Sequence, residues 1–397
     1  SSTTIATGIE WQSTIVTGTT LSATANYGYF IDTSSNACTV TLPTSSSVGD
    51  ELWFVDYSRR FGTNNLTLDQ GSQKFQGNTT PNPVYSTDGQ AIHIVYSGST
   101  KGWIPTTDDD VTFAAAQTYA AEYTLVAGGA SGGSGGDRGG GGGAGGLLTN
   151  FGGTTVNLVT GTIYTITVGA GGATVTSNKG NSGNDSTITG TAFSTLTAVG
   201  GGYGGNKNYT GSGAGGDGGS GGGAASIGGG SVSNPSGGSG TSGQGNDGGT
   251  GNTVSGEYGA GGGGGAGAAG GDGSTSAAGA GGNGSANSIT GSSVTYAGGG
   301  GGARQSSATG GAGGSGGGGA GGGGDGPGVA GTAGTANTGG GGGGSKGNAS
   351  GAGGSGVVIL SVPDASYSGT TSGSPTVATG VSGKTVITFT GSGSYTA

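Results

Sequence analysis

The sequence predicts an all-β protein joined to a bundle of polyglycine II helices. Of its 397 residues, 111 are Gly, only 29% are hydrophobic and 7% are charged. So low a hydrophobic fraction excludes one large core of side chains, whereas so low a charge is not typical of a disordered chain. Collagen is excluded as well, because it needs Gly at every third position with abundant Pro, and the chain has 8 Pro.

The first part of the chain, residues 1–107, has ordinary composition and predicts a small antiparallel β domain of five to seven short strands. Apolar and polar residues alternate there, and Gly, Asn and Asp turns interrupt the alternation. The runs are GYFIDTSSNACTVTLP (28–43), ELWFVDYS (51–58), NNLTLDQ (64–70) and QAIHIVYSG (90–98). We expect Cys38 to be a small core residue and His93 an ordinary strand residue.

We expect five aromatic and aliphatic residues of this domain to lie in its core or in an interface. They are Trp53, Phe54, Ile92, Ile94 and Trp103. Trp11 and Trp103 are further expected to be exposed on surface that a partner copy covers, which predicts a homotrimer.

The segment 108–122 is predicted to be a connector. It contains three consecutive Asp residues (108–110), which favour a solvated segment over a cation site. From 123 to 397 we expect one glycine-rich domain in which short strands alternate with long Gly tracts. The strand runs are EYTLVAGG (122–129), TTVNLVTGTIYTITVG (154–169), FSTLTAVGGG (193–202), SGVVILSV (355–362) and KTVITFTG (384–391).

The Gly tracts have a period of three residues. Ser131, Ser134 and Asp137 are three apart with Gly between them, and from Gly310 to Gly334 nearly every third position is Gly. Three residues per turn is the repeat of the polyproline II family, whose backbone groups point sideways and can bond to neighbouring helices. The runs 139–143, 261–265 and 339–344 have Gly on all faces and predict interior helices. The run GVAGTAGTAN (328–337) predicts a peripheral helix with Ala and Thr outward.

Two sets of motifs resemble bacteriophage proteins. EYTLVAGGASGGSGGDRGGGGGAGGLL, YTITVGAGG, AVGGGYGG, GGSGVVIL and KTVITFTGSGSYT, in this order, resemble the glycine-rich domain of phage tail-fibre and adhesin proteins. Independently, GYFIDTSSNACTVTLPTSSSVGDELWFVDYSRRFGTNNLTLDQ, with KFQG and DGQAIHIVYSGSTKGW, is similar to small β modules of marine-phage tail fibres. The resemblance implies a non-catalytic virion protein that is extracellular, contacts other tail proteins and binds a bacterial surface glycan or outer-membrane protein.

In such adhesins, loops at the far end of the bundle contact the receptor, so the resemblance implies that the non-Gly interruptions between tracts are binding residues. Tyr, Asn and Ser in a Gly context are also typical of adaptable recognition loops. The stretch YGGNKNY, with Tyr203 and Tyr209 around Asn-Lys-Asn, is the first candidate. The full set is Tyr203, Asn206, Lys207, Asn208, Tyr209, Asn234, Glu257, Tyr258, Tyr296, Arg304 and Gln305.

Two other functions are compatible with the sequence, namely an extracellular structural filament subunit or spacer, and an ice-binding protein. Other classes are disfavoured. A net charge of −9 with 10 Lys and Arg argues against nucleic acid. No apolar run approaches the length of a membrane span. Sparse carboxylates, one His and one Cys disfavour an enzyme. We therefore expect no catalytic residue, no metal site and no cofactor.

Overall fold

The computed structural model describes residues 8–106, 112–113, 117–136, 138–191, 193–207, 213–228, 234–254, 258–305, 309–324 and 328–397. The chain divides into two compact units, Ser1–Gln117 and Thr118–Ala397, and the division falls inside the predicted connector. The described residues consist of strands, irregular tracts and very little helix, which confirms the all-β class.

In the part that the structure describes, the first unit contains ten strands. They are β1 (Glu10–Trp11), β2 (Thr20–Ser22), β3 (Tyr27–Ile31), β4 (Cys38–Thr41), β5 (Glu51–Asp56), β6 (Leu66–Asp69), β7 (Pro83–Tyr85), β8 (Ala91–Tyr96), β9 (Trp103–Pro105) and β10 (Thr112–Phe113).

These strands form two mixed sheets, so the predicted antiparallel arrangement is wrong for half of the strand pairs. One sheet has the order β1-β3-β5-β8-β9 and the other β10-β7-β6-β4-β2. The pairs β1-β3, β3-β5, β2-β4 and β4-β6 are parallel, and the remaining pairs are antiparallel. From β1 to β6, successive strands alternate between the two sheets, and each sheet therefore receives every second strand in the same direction.

The core of the first unit lies between its two sheets. Cys38, Phe54, Ile92, Ile94 and Trp103 are buried there, as predicted for core residues, whereas Trp53 is half-buried on the opposite face of β5. Trp103 is fully buried, which contradicts the expectation that it is exposed. It lies on the inner face of β9, and its indole N–H donates to Gln73 Oε1 at 2.9 Å, so its polar group is satisfied inside the unit.

The second unit contains thirteen strands and one 3₁₀ helix in its described residues. They are β11 (Thr118–Val126), β12 (Leu147–Thr149), β13 (Val156–Val159), β14 (Ile163–Thr167), β15 (Ser186–Gly190), β16 (Phe193–Ala198), β17 (Ser285–Asn287), β18 (Val294–Tyr296), β19 (Val357–Pro363), the 3₁₀ helix (Asp364–Ser366), β20 (Thr371–Ser372), β21 (Thr376–Val381), β22 (Lys384–Phe389) and β23 (Gly393–Thr396).

Two sheets of this unit enclose a side-chain core. One has the order β12-β11-β19-β22-β21, with β13 also pairing with β11, and the other has the order β16-β15-β14-β23-β20. Leu125, Ile166, Ile387 and Phe389 are among the residues buried between them. The hairpin β17-β18 lies in the long Gly-rich stretch, where the sequence predicted no strand.

The central element of the second unit is the tract 139–146, whose N–H groups bond to three neighbouring tracts in rotation. Every third N–H, beginning with that of Gly139, donates to the carbonyls of the tract 339–345, at 2.8–3.0 Å. The next series, beginning with Gly140, donates to 199–205, and the third, beginning with Gly141, to 261–264. This rotation is what a helix with three residues per turn requires, and it confirms the polyglycine II prediction.

The carbonyl groups of the same tract accept from three further tracts. Gly142 accepts from Gly300 at 2.9 Å, Gly141 from Gly223 at 2.8 Å and Gly143 from Ala130 at 2.9 Å. Six neighbours therefore surround this helix in the described chain, and all its residues from Gly139 to Gly146 are buried. Backbone hydrogen bonds replace side-chain packing as the core of the bundle.

The predicted interior and peripheral helices have the predicted burial. The runs 139–143, 261–265 and 339–344 are buried throughout. In the run 328–337, two of every three residues between Val329 and Ala336 are exposed and the third, Gly331 or Gly334, is half-buried. The pattern follows from the three faces of the helix, of which one packs against the bundle.

Single Asp residues in the tracts act as acceptors for neighbouring backbone. Asp185, Asp217, Asp247 and Asp272 each accept one N–H from another segment of the bundle, at 2.7–2.8 Å. The donors are Gly200, Ser239, Gly240 and Thr250. For these four N–H groups, a carboxylate takes the place of a carbonyl from a neighbouring tract.

Candidate functional site

The bundle has a strand end and a loop end. β11, β16 and β18 run directly into tracts that begin at residues 127, 199 and 297, and tracts that end at 146 and 356 run directly into β12 and β19. Gly146 bonds with Ala127 and Val199 at this strand end, while Gly140 bonds with Gly133 and Gly205 near the opposite end. The loop end therefore contains the residues that follow positions 133, 205, 303 and 345, together with those that precede positions 139 and 259.

Arg138 is the residue through which three tract ends meet at the loop end. Its guanidinium carbon lies 4.5 Å from the ring centroid of Tyr258. The guanidinium also donates to Gln305 Oε1, and the Arg138 carbonyl accepts the N–H of Ser226 at 3.0 Å. The Tyr258 and Gln305 side chains are half-exposed, whereas Arg138 is only 6% exposed. The group therefore offers an aromatic ring and an amide to solvent, and the buried guanidinium holds both in place.

Further candidates lie around this group. Asn234 is exposed, and its side-chain oxygen accepts from the N–H and hydroxyl of Thr253 at 3.1 and 2.8 Å. Arg304 is half-exposed and follows the tract 297–303, forming an isolated bridge with Gly259. Lys207 is half-exposed just beyond the tract 199–205. The structure thus brings five of the predicted residues to one end: Lys207, Asn234, Tyr258, Arg304 and Gln305.

Three predicted residues have positions that contradict a projecting loop. Tyr203 lies within the tract 199–205, where its carbonyl accepts the N–H of Gly216 at 2.9 Å. Its ring is half-buried, with the Lys179 ammonium 4.0 Å from the centroid. Asn206 is buried, and its side-chain amide donates to the Ser134 carbonyl. Aromatic and amide side chains can therefore cover the sides of a Gly helix without interrupting it.

Tyr296 is the third of these corrections. It is buried at the strand end, in a cluster with Val126, Ile289 and Val357, and burial raises the pKa of its hydroxyl. Tyr296 packs where the bundle meets a sheet, and only 5% of it is exposed, which leaves too little surface to contact a receptor. Asn208, Tyr209 and Glu257, the other candidates, lie outside the described residues.

Basic residues concentrate at the loop end, and sequence reasoning missed most of this signal. The second unit has six Lys and Arg residues. Five of them, Arg138, Lys179, Lys207, Arg304 and Lys346, belong to segments at the loop end, and the sixth, Lys384, pairs with Glu122 at 2.7 Å in the sheets. A comparison of basic positions with tract ends would have found four of them, because Arg138 directly precedes the tract 139–143 and Lys207, Arg304 and Lys346 lie within two residues of the end of a tract.

Residues 106–363 match the family described as glycine-rich domain. The match spans more than half of the chain. The chain belongs to the glycine-rich domain family. No curated protein matches the chain. The family match begins in the segment before β11 and ends with β19, so it includes the whole bundle and both of its ends.

The glycine-rich domain protein shows two further features in the part that the structure describes. No helix there is long and apolar enough to cross a membrane. Among the same residues, no group of three or more His, Cys, Asp and Glu could hold a metal ion. The three Asp residues at 108–110 lie outside the described ranges.

Proposed function

We propose that this glycine-rich domain protein is a non-catalytic host-recognition component of a phage tail fibre. In this proposal the loop end of the bundle binds a receptor on the bacterial surface, and the strand end anchors the bundle. The observation that carries it is that Tyr258, Gln305 and Lys207 lie half-exposed at one end of a helix bundle built mainly of Gly, Ala and small polar residues.

The physical basis of the proposal is rigidity combined with chemical variety. Six-fold backbone bonding holds the central tract in one conformation, and loops on a rigid scaffold lose little entropy on binding. Tyr supplies a large contact area, and Arg, Gln and Lys supply hydrogen bonds and charge.

The test is adsorption of the full chain to a panel of intact Gram-negative cells, measured by sedimentation. On a strain that binds the parent protein, Tyr258→Ala should weaken adsorption by about thirtyfold, the usual effect of removing an aromatic anchor. Phe151→Ala is the matched control, because Phe151 is an exposed aromatic residue that follows β12 outside the loop end. Lys207→Ala should also weaken adsorption and reduce its dependence on salt.

Two results would contradict the proposal. If Tyr258→Ala and Lys207→Ala melt like the parent and adsorb like it, the loop end is not the binding site. If the parent adsorbs to none of the strains, the chain is better described as a structural filament subunit or spacer, the alternative that needs no receptor.

A homotrimer with other tail proteins as neighbours belongs to the same proposal. Trp103 is buried and gives the trimer no support, so this part of the proposal rests on the resemblance to tail fibres. Light scattering of the full chain measures the oligomeric state directly, and a monomer mass at micromolar concentration would contradict the trimer.

Ice binding is the second candidate, and one observation favours it. The peripheral run 328–337 exposes two rows at three-residue spacing, one with Thr332 and Thr335 and one with Ala330, Ala333 and Ala336. Thermal hysteresis of the full chain tests this candidate, and its absence at millimolar concentration excludes it.

A further inference from the structure

An aromatic row crosses the outer face of one sheet in the first unit. Trp11 on β1 pairs with Gly28 on β3, Gly28 with Trp53 on β5, and Trp53 with His93 on β8. Because residues directly opposite each other share a face of a sheet, these side chains form one line across four strands. The opposite face carries Phe54, Ile92 and the rest of the core.

Gly28 is the position that lets the Trp11 indole lie flat on the sheet. A Cβ added at Gly28 would meet the ring atoms Cδ2 and Cε3 of Trp11 at 2.7 Å and Cε2 at 3.0 Å. Contact with three atoms of the ring at once means that the ring face covers the Gly28 backbone. Since 44% of Trp11 is exposed, part of the indole remains open to water.

Neighbouring rings extend this surface. The Phe30 ring centroid lies 4.9 Å from that of Trp11, and the Tyr57 centroid lies 6.4 Å from that of Phe30. Trp53 and His93 stack at 4.3 Å with an interplanar angle of 14°. Tyr57 is 54% exposed. We name the group Trp11, Phe30, Trp53, Tyr57 and His93 the aromatic platform.

Hydrogen-bonding groups lie at one end of the platform. His93 Nε2 is 2.8 Å from Glu51 Oε2, and His93 Nδ1 is 2.6 Å from the hydroxyl of Thr106. Glu51 is on β5, next to Trp53, and Thr106 is exposed. Open ring surface beside a carboxylate and a hydroxyl combines apolar contact area with polar groups that fix orientation.

We infer that the aromatic platform is a binding site for a neutral glycan, separate from the loop end of the bundle. Sugar rings present C–H groups to the negatively polarised faces of aromatic rings, and their hydroxyls can bond to Glu51 and Thr106. Within the strands of this sheet the outward residues include Glu51 and no Lys or Arg, which disfavours an anionic polymer.

The same charges disfavour a second copy of the chain as the occupant. Two copies joined through this face would remove the Glu51 carboxylate from water without an Arg or Lys from the opposite face. A glycan leaves that carboxylate hydrated or gives it a hydroxyl donor. This inference does not depend on the proposed function, because the platform and the loop end lie in different units.

The test is native affinity electrophoresis of the full chain in gels that contain a β-1,3-glucan, a mannan or alginate, with soluble chitin oligosaccharides titrated in solution. We expect retardation by a neutral polymer or binding of the oligosaccharide, and no effect of the polyanion alginate. Trp11→Ala should weaken the interaction by about thirtyfold, whereas Trp11→Tyr keeps most of it. Phe151→Ala is the control for loss of an exposed aromatic residue elsewhere.

Gly28→Ala tests the geometry with Trp11 still present. The added methyl group displaces the indole, and binding should fall severalfold at an unchanged melting temperature. Tryptophan fluorescence of the parent protein gives an independent measurement should a variant fail to fold, because Trp103 is fully buried and a spectral shift on binding reports on Trp11 and Trp53.

Three outcomes would overturn the inference. One is that none of the neutral glycans binds the parent protein, and another is that folded Trp11→Ala binds like the parent. The third is that Trp11→Ala lowers the molar mass in light scattering, which identifies a second copy as the occupant of the platform.

Discussion

Gly341 packs so closely on Gly142 that a Cβ on Gly341 would lie only 2.0 Å from the Gly142 carbonyl oxygen. The two residues are about 200 positions apart, and Gly300 shares the same crossing, since its N–H donates to that carbonyl. Within the bundle, the absence of a side chain is therefore the condition for backbone hydrogen bonding between helices.

Gly341→Ala should lower the free energy of unfolding of the second unit by about 3 kcal/mol, the upper range for an overpacked site. The methyl group forces tracts 139–146 and 339–345 apart, so several hydrogen bonds lengthen together. Gly136→Ala is the matched control, because a Cβ there has no neighbour within 4 Å. Thermal unfolding followed by circular dichroism measures both, and equal melting temperatures would contradict the packing.

Asp272→Ala should destabilise the bundle by about 1 kcal/mol. The change removes the acceptor of the Thr250 N–H, which Asp272 Oδ1 holds at 2.8 Å. Asp272→Asn keeps an acceptor oxygen and should recover most of the loss. If alanine and asparagine have the same effect in urea unfolding, charge and not the hydrogen bond is responsible.

The second unit should lose stability in alkali. Burial raises the pKa of the Tyr119, Tyr123, Tyr296 and Tyr367 hydroxyls above their ordinary value, and for Tyr119 the hydroxyl of Tyr395 at 2.7 Å adds to the effect. In the unfolded chain these groups ionise near pH 10, so their contribution is complete below about pH 10 and is lost as the pH rises further.

The measurement is the urea midpoint between pH 8 and pH 11.5. Tyr119→Phe removes one of these ionisations and should make the decline above pH 10 shallower, at a small cost at pH 8. A parent protein whose midpoint stays constant up to pH 11.5 would show that these tyrosines ionise equally in both states.

Cys38 should be unreactive in the folded protein. It is 1% exposed in the core of the first unit, and burial raises the pKa of its thiol. Because the thiolate is the nucleophile, a thiol reagent at pH 8 should modify the native chain at least about a hundredfold more slowly than the urea-unfolded chain. Rapid stoichiometric modification of native protein would place Cys38 outside the core.

The sequence by itself determined the local structure of this protein. The three-residue period predicted polyglycine II helices, and Gly on all faces of 139–143, 261–265 and 339–344 predicted their burial, because both properties depend only on which residues occupy the three faces of one helix. Alternating runs predicted most of the strands of five or more residues in the same way. Short strands such as β1, β2, β12, β17 and β18 were missed, because two or three residues are too few to show an alternation.

Only the tertiary structure decided which segments are neighbours. Gly tracts have nearly identical faces, so nothing in the tract 139–146 specifies 261–264 as its parallel partner or 339–345 as an antiparallel one. For the same reason, the sequence did not show that Tyr258 lies at the loop end while Tyr296 is buried at the strand end. Nor did it show that β1, β3 and β5 pair in parallel. Backbone groups are the same in every residue except Pro, so a core made of backbone hydrogen bonds takes its partners from the path of the whole chain.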